Sequence, residues 1–177
     1  MRLFVAVGTA AGGFDALVEA ADRAALRLGM TGLAQIGEGR FCPRQLRWRR
    51  FVAPDELAAL LARRPLVVTH GGMGLLGDAM RAGCRIVAVP RARATSRRHP
   101  SNDQRAFLER LAQRYPIRLC RSPEALEEAL AELALAAPAP IRYPLGSTVP
   151  QILRTYLQQH RGSRHRRARP VGEVPRA

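Results

Sequence analysis

The chain has 177 residues, 47% apolar and 24% charged. That suits one ordinary domain with its own core, with or without a tail, and excludes both a disordered chain and two full-sized domains. The 29 basic residues, every one an arginine, face 14 acids for a formal charge of +15, a balance that suits phosphate-bearing, polyanionic or anionic-surface partners.

The excess is uneven, because from Ile141 onward eight arginines meet a single acid, Glu173. GC-rich codon usage, which favours Arg, Ala, Gly and Pro together, accounts for much of the total. Cys42, Cys84 and Cys120 are far apart, with no CxxC pair and no histidine at ligand spacing. Neither a zinc site nor a disulfide framework is expected, and a reducing, cytoplasmic compartment is. No apolar run approaches the ~20 residues of a membrane helix, and the N-terminal MRLFVAVG does not read as a signal peptide.

In chain order, Arg2 to Val7 reads as a buried strand stopped by Gly8. Phe14 to Leu28 carries the Ala/Leu stripe of a helix. Leu33 to Ile36 is a second strand, and Gly37 to Gln45 a loop. Trp48 to Val52 is a third strand, and Pro54 opens a helix through Leu61. Leu66 to Thr69 is a fourth strand that runs into His70-Gly71-Gly72-Met73-Gly74. The helix that follows reaches about Ala82 and is closed by Gly83.

Arg85 to Val89 is a fifth strand stopped by Pro90, and Arg91 to Ser101 is a basic loop. Asp103 to Tyr115 is a helix, and Ile117 to Leu119 a sixth strand. Ser122 and Pro123 open another helix as N-cap and N1, which ends in the Ala/Pro run from Ala136 to Pro140. Alternating strands and helices predict an α/β fold, a Rossmann-like, doubly wound parallel sheet of about six strands over residues 1–140. Residues 141–177 differ: Pro150 to Gln159 makes an amphipathic helix, and Arg161 to Arg169 a basic, mobile tail.

In such a sheet ligands bind at the C-terminal strand ends, where the strand order reverses. Two glycine turns fall there. Val7-Gly8-Thr9 with Gly12-Gly13 follows the first strand, and His70 to Gly74 follows the fourth. Glycines admit a close backbone approach, and the helix N-terminus aims N–H groups at an anion, which makes a diphosphate cradle. The turn is neither a Walker loop nor the dinucleotide GxGxxG, which belongs after strand one. Asp78, one turn beyond Gly74, is within reach of a ribose diol. Taken singly, these residues also have plainer readings: Asp78 as a solvated helix carboxylate, His70 as a hydrogen-bonding strand end, and the basic loop as solvated surface.

Val7-Gly8-Thr9 with Phe14-Asp15, Gln35-Ile36-Gly37, Phe51, Thr69 to Gly74, Asp78-Ala79 and Val89-Pro90-Arg91 stand in one order. That order resembles the donor-binding, C-terminal half of GT-B glycosyltransferases of the family that makes lipid II. The single-domain length is closer still to the soluble subunit of split enzymes. These are the eukaryotic two-subunit dolichyl-diphosphate N-acetylglucosamine transferase and bacterial two-part exopolysaccharide transferases. The resemblance covers about residues 1–130.

The resemblance implies a single GT-B half-domain, a UDP-sugar donor and inverting transfer to a lipid-linked acceptor, with no cofactor and no metal. By position, the amides of Gly71, Gly72, Met73 and Gly74 hold the diphosphate, with Gly8, Thr9 and His70 beside them. Asp78 holds the ribose, the backbone near Val52 meets the uracil edge, and Asn102, Asp103 and Gln104 face the donor sugar. His99 has the chemistry of a base, but in an arginine-rich loop it reads rather as a surface or phosphate-contacting group, and it is counted among the substrate-binding candidates. The sequence departs from the family at three places. Asp78 stands for the usual Glu, Leu75 for a frequent hydroxyl residue, and Asp103-Gln104 for a His-Gln pair.

Transfer also needs an acceptor site and a base for the acceptor proton, which GT-B enzymes build between two domains. One domain here implies a partner: a membrane-associated, acceptor-binding subunit that brings the chain to the inner face of the membrane. No catalytic residue is assigned. Two alternatives remain, a basic α/β nucleic-acid-binding domain and a non-catalytic regulator that keeps a nucleotide-sugar fold. Against the first, aromatic residues make up only 5% and no recognisable module is present, so no nucleic-acid partner is expected.

Overall fold

A computed structural model describes residues 2–9, 13–91, 104–135, 141–144, 146 and 149–160. The chain divides into two compact units, Met1–Tyr143 and Pro144–Ala177. In the first, β1 is Arg2–Ala6, α1 Asp15–Arg27, β2 Thr31–Gln35 and β3 Arg47–Arg49. Then come α2 at Pro54–Ala62, β4 at Leu66–Thr69, α3 at Met73–Arg81 and β5 at Arg85–Ala88. The unit continues with α4 at Arg105–Arg114, β6 at Ile117–Leu119, a 3-10 turn at Pro123–Ala125 and α5 at Leu126–Leu135.

Six strands form one sheet in the order β3-β2-β1-β4-β5-β6, and every neighbouring pair is parallel. This is the expected doubly wound sheet, and its order reverses between β1 and β4. Parallel pairing needs long crossovers whose helices cover the faces, so the central strands are buried on both sides and read as continuous apolar runs.

Alternation along the strands decides which helices meet which face. Leu3, Val5, Val7, Leu66, Val68 and Val87 pack with α1 and α5 residues such as Leu17, Val18, Leu126 and Leu130. Phe4, Ala6, Val67, Ile86 and Ala88 pack on the other side with Leu61, Leu76, Met80 and Leu108 of α2, α3 and α4. Adjacent residues of one strand thus belong to two different cores.

Two sequence expectations need correction. The third strand lies at Arg47–Arg49 rather than Trp48–Val52. The register ends where Gln35 meets Arg49, and the Gln35 side-chain carbonyl then accepts the Val52 amide at 2.9 Å, outside the ladder. Ser122 makes no side-chain cap bond, and the turn after it begins as 3-10 before α5.

No helix stands between β2 and β3. The connecting loop is held by two α1 carboxylates. Asp15 accepts the Arg40 amide at 3.0 and 3.1 Å. Buried Asp22 accepts three amides, from Arg44 at 2.9 Å, Gln45 at 3.0 Å and Leu46 at 2.8 Å. A buried carboxylate is tolerated because its oxygens are saturated by donors. At the far end of this unit, the Tyr143 hydroxyl donates to the Cys84 carbonyl at 2.9 Å, and the Ile141 amide to Gly83.

In the second unit, α6 runs Val149–His160. Val149, Ile152, Leu153, Tyr156 and Leu157 are exposed, spaced three and four apart on one helix face. Arg161 to Arg169 lie outside the described residues. Among the described residues no helix is long and apolar enough to cross a membrane.

Candidate functional site

At the reversal between β1 and β4 the following connections leave on opposite faces: β1 runs to α1, β4 to α3. Gly8 after β1 has φ +78 and Gly71 after β4 has φ +91, values at which a side chain is strained. A Cβ on Gly71 would also sit 2.7 Å from the Leu108 methyls.

Gly72 is the N-cap of α3 and supplies no side-chain cap, and the first helical turn holds no acid. The Gly71 amide donates to the Thr69 hydroxyl at 3.3 Å. Among the described residues the amides of Gly72, Met73 and Gly74 meet no acceptor. They are the free donors that every helix start leaves, aligned with the positive end of its dipole. Met73 is 69% exposed, and a Cβ on Gly74 would meet nothing within 4 Å. Inside the protein, glycine is therefore required for packing at Gly71 and Gly72 but not at Gly74.

Behind this helix start lies His70, 7% exposed. Its ring sits between the two glycine turns. A Cβ on Gly8 would come within 2.6 Å of its Cε1, and one on Gly72 within 2.9 Å. Its Nδ1 is buried without a partner. Its pKa is lowered to about 4, chiefly by burial and also by the Arg91 charge, with the Ala6 backbone opposing. The imidazole is neutral at pH 7.

Arg91, 5% exposed, lies three residues beyond β5, after Val89-Pro90. Its Nη2 donates to the Val7 carbonyl at 2.9 Å. Its guanidinium lies 5.5 Å from the Phe14 ring centroid, and its Nε has no partner. Burial pushes its pKa down. Among the described residues no carboxylate pairs with it. A third buried orphan atom, Gln104 Oε1, stands at the N-cap of α4. One turn further along that helix, Leu108 packs under Gly71. All three orphan atoms therefore belong to segments at the C-terminal edge of the sheet. Buried polar groups without partners are rare in a finished interior, and three at one edge suit a ligand.

The other expected positions distribute as follows. Thr9 is exposed beside Gly8. The Val52 amide is taken by Gln35, which leaves its carbonyl as the group able to meet a base. Asp78 is bonded to Arg81, and both line a cavity of about 490 Å³ with Pro54, Leu57 and Leu61 of α2. Asp78 and the start of α2, just past Val52, thus share one side of the sheet. His99, Asn102 and Asp103 lie outside the described residues. Cavities of about 670 and 520 Å³ open at Trp48 and Glu56 and at Arg2, Thr31 and Pro65, and no glycine-turn residue lines either. Sequence reasoning quoted Arg91 and Phe14 within a motif but gave them no role. The available signal was an arginine directly after a strand-ending Pro.

The buried His70 makes stability depend on pH. The unfolded chain takes up a proton on this imidazole near pH 6.5, while the folded chain resists to about pH 4. The contribution is complete above pH 6.5, falls as pH drops, and is lost below about 4, by about 3 kcal/mol in all. In urea titrations between pH 7 and 4.5, His70→Gln is expected to lose less stability than wild type. Parallel losses would show that His70 does not carry this dependence.

A parallel, doubly wound sheet with a glycine turn, a free helix start and a buried arginine at the reversal defines a Rossmann-like protein. The particular family follows from comparison: residues 2–143 match the glycosyltransferase family 28 C-terminal domain, and the chain belongs to that family. Solved structures share the fold. The glycotransferase of kitacinnamycin is 24% identical, with TM-score 0.57, over 92% of this chain and 40% of its own. The glycosyltransferase SnogD from Streptomyces nogalater is 19% identical, with TM-score 0.54, over 75% and 34%. The glycosyltransferase VinC in complex with dTDP is 22% identical, with TM-score 0.51, over 76% and 33%. The chain thus spans 40% of the first of these structures and about a third of the other two. The comparison with curated proteins returned no match.

Proposed function

We propose that this chain is the donor-binding part of a glycosyltransferase that moves a sugar from a UDP-sugar to a lipid-linked acceptor. The observation that carries the reading is the uncapped start of α3 at the sheet reversal, backed by His70 and Arg91 with unpartnered buried nitrogens. A diphosphate supplies what these groups lack: acceptor oxygens for the free amides and negative charge for the guanidinium. The dTDP in VinC is a ligand of the same class. Asp78 binds the ribose diol after releasing Arg81, the Val52 carbonyl meets the base, and Gln104 faces the sugar. Neither a cofactor nor a metal enters this reading.

The reaction joins the acceptor oxygen to the sugar C1 as the C1–phosphate bond breaks. The electron pair leaves with the nucleoside diphosphate, and a base takes the acceptor proton. The base and the acceptor site belong to the second half of the cleft, which a membrane-associated partner chain supplies. The exposed apolar face of α6 suits docking in a groove of that partner. The arginines from Arg161 to Arg169 suit anionic headgroups at the inner membrane face, at ~1 kcal/mol each near the surface.

Calorimetry tests the donor half of the proposal. UDP binds the wild-type chain, and Asp78→Ala weakens it by about 1–2 kcal/mol, the scale of a lost charge-assisted hydrogen bond. Equal affinities would remove Asp78 from the ribose role. Transfer to a lipid acceptor should require a membrane fraction that holds the partner. Transfer by the chain alone, at a rate no partner improves, would overturn the two-chain reading.

A further inference from the structure

We infer that Arg91 is the fixed counter-charge of the diphosphate and the residue that sets one glycine turn against the other. The inference rests on the donor-site reading above. It starts from an imbalance. A guanidinium is almost wholly buried at the strand ends, and among the described residues no carboxylate accompanies it. An uncompensated buried charge is costly and is normally matched by an opposite charge. The unfilled Nε marks the same deficit on the hydrogen-bonding side. The start of α3 adds further positive potential nearby, again without an acid in its first turn. Two positive sources at one edge, neither met by an anion among the described residues, suit a dianionic group.

The geometry also says how Arg91 acts. Its Nη2 is committed to the Val7 carbonyl, the last before Gly8, and its flat face to Phe14 at the entry of α1. It therefore ties the segment after β5 to both ends of the turn after β1. That turn faces the one after β4 across the His70 ring. Arg91 is a positioning residue whose charge acts from behind the turns. As the C1–O bond breaks, negative charge grows on the departing diphosphate. A fixed cation in a low-dielectric setting stabilises that charge without reorganising.

Calorimetry with uridine, UMP and UDP on wild type, Arg91→Met and Arg91→Lys separates a charge from a mere clasp. In Arg91→Met, uridine affinity should stay within about threefold, while UDP affinity falls about 30-fold and UMP affinity falls between, as expected for a lost interaction with phosphate charge. Arg91→Lys keeps the charge but cannot hold Val7 and Phe14 together. It should bind UDP within about fivefold of wild type, a difference of ~1 kcal/mol. NMR of the ligand-free Arg91→Met protein should show His70 titrating higher than in wild type. Equal losses on uridine and UDP, with no recovery in Arg91→Lys, would reduce Arg91 to a structural clasp. Unchanged UDP affinity in Arg91→Met would remove its role altogether. If Arg91→Met does not fold, Arg91→Lys decides, because a folded Lys variant that loses UDP more than about 30-fold overturns the charge role. A wild-type chain that binds UDP no better than uridine would instead sink the donor-site reading.

Discussion

Gly72→Val is expected to fold and to bind no measurable UDP. The backbone at Gly72 has φ −60 and ψ 127, which any residue adopts, so α3 still starts there. The added Cβ, however, would sit 2.9 Å from His70 Cε1 and 3.0 Å from Nε2. The imidazole must move toward the Gly8 turn, where a neighbouring surface already confines it. Branched methyls would also stand at the free amides that face the anion. A loss of at least about 100-fold, or ~3 kcal/mol, is expected in calorimetry, with an unchanged far-UV spectrum. A folded variant with near-normal UDP affinity would mean that the turn is structural only.

Asp22→Ala should produce the largest loss of stability. Three backbone amides would lose one charged acceptor in a buried setting, at about 3–5 kcal/mol together. For a chain of this size that is a fall of roughly 10 °C in Tm, measurable by calorimetric melting. Asp22→Asn, with one acceptor oxygen left, should fall between. A shift under about 1 kcal/mol would show that the loop before β3 holds itself in place.

The fold was legible where local chemistry leaves a local mark. Leu66 to Thr69 was read at its true bounds because an all-apolar run meets Pro65 and a glycine turn. β3 was misplaced because an edge strand with three exposed residues, Arg47, Trp48 and Arg49, has no buried pattern to read. The apolar Phe51 and Val52 drew the expectation forward, although Phe51 is itself exposed. Asp22 drew no reading from the sequence, though it sits among the buried alanines of α1. Its role depends on residues some 22 positions away in the chain, beyond any periodicity.

The candidate site divides the same way. Gly8 and Gly71 were visible because only glycine takes their positive φ at little cost. The Gly71 amide was expected to face phosphate, but it donates to the hydroxyl of Thr69, two residues earlier, a bond no spacing rule announces. The pairing of Arg91 with Val7 spans 84 positions. Its significance lies in burial and in the lack of a counter-charge among the described residues, which appear only once β1 and β5 flank β4 in the sheet.

One ring between two turns also constrains how this family member can change over generations. The volume that a side chain at position 8 or 72 would need is the volume the His70 imidazole already fills. A smaller residue at position 70 vacates that space, and a methyl at position 72 then meets no ring. A smaller residue at position 70 would thus relieve the steric part of a substitution at position 72, a coupling between neighbours that a double-mutant cycle measures. Position 8 gains less from the same exchange, because its φ of +78 opposes any side chain regardless of room. The histidine and the second-turn glycine are thus coupled through one shared volume.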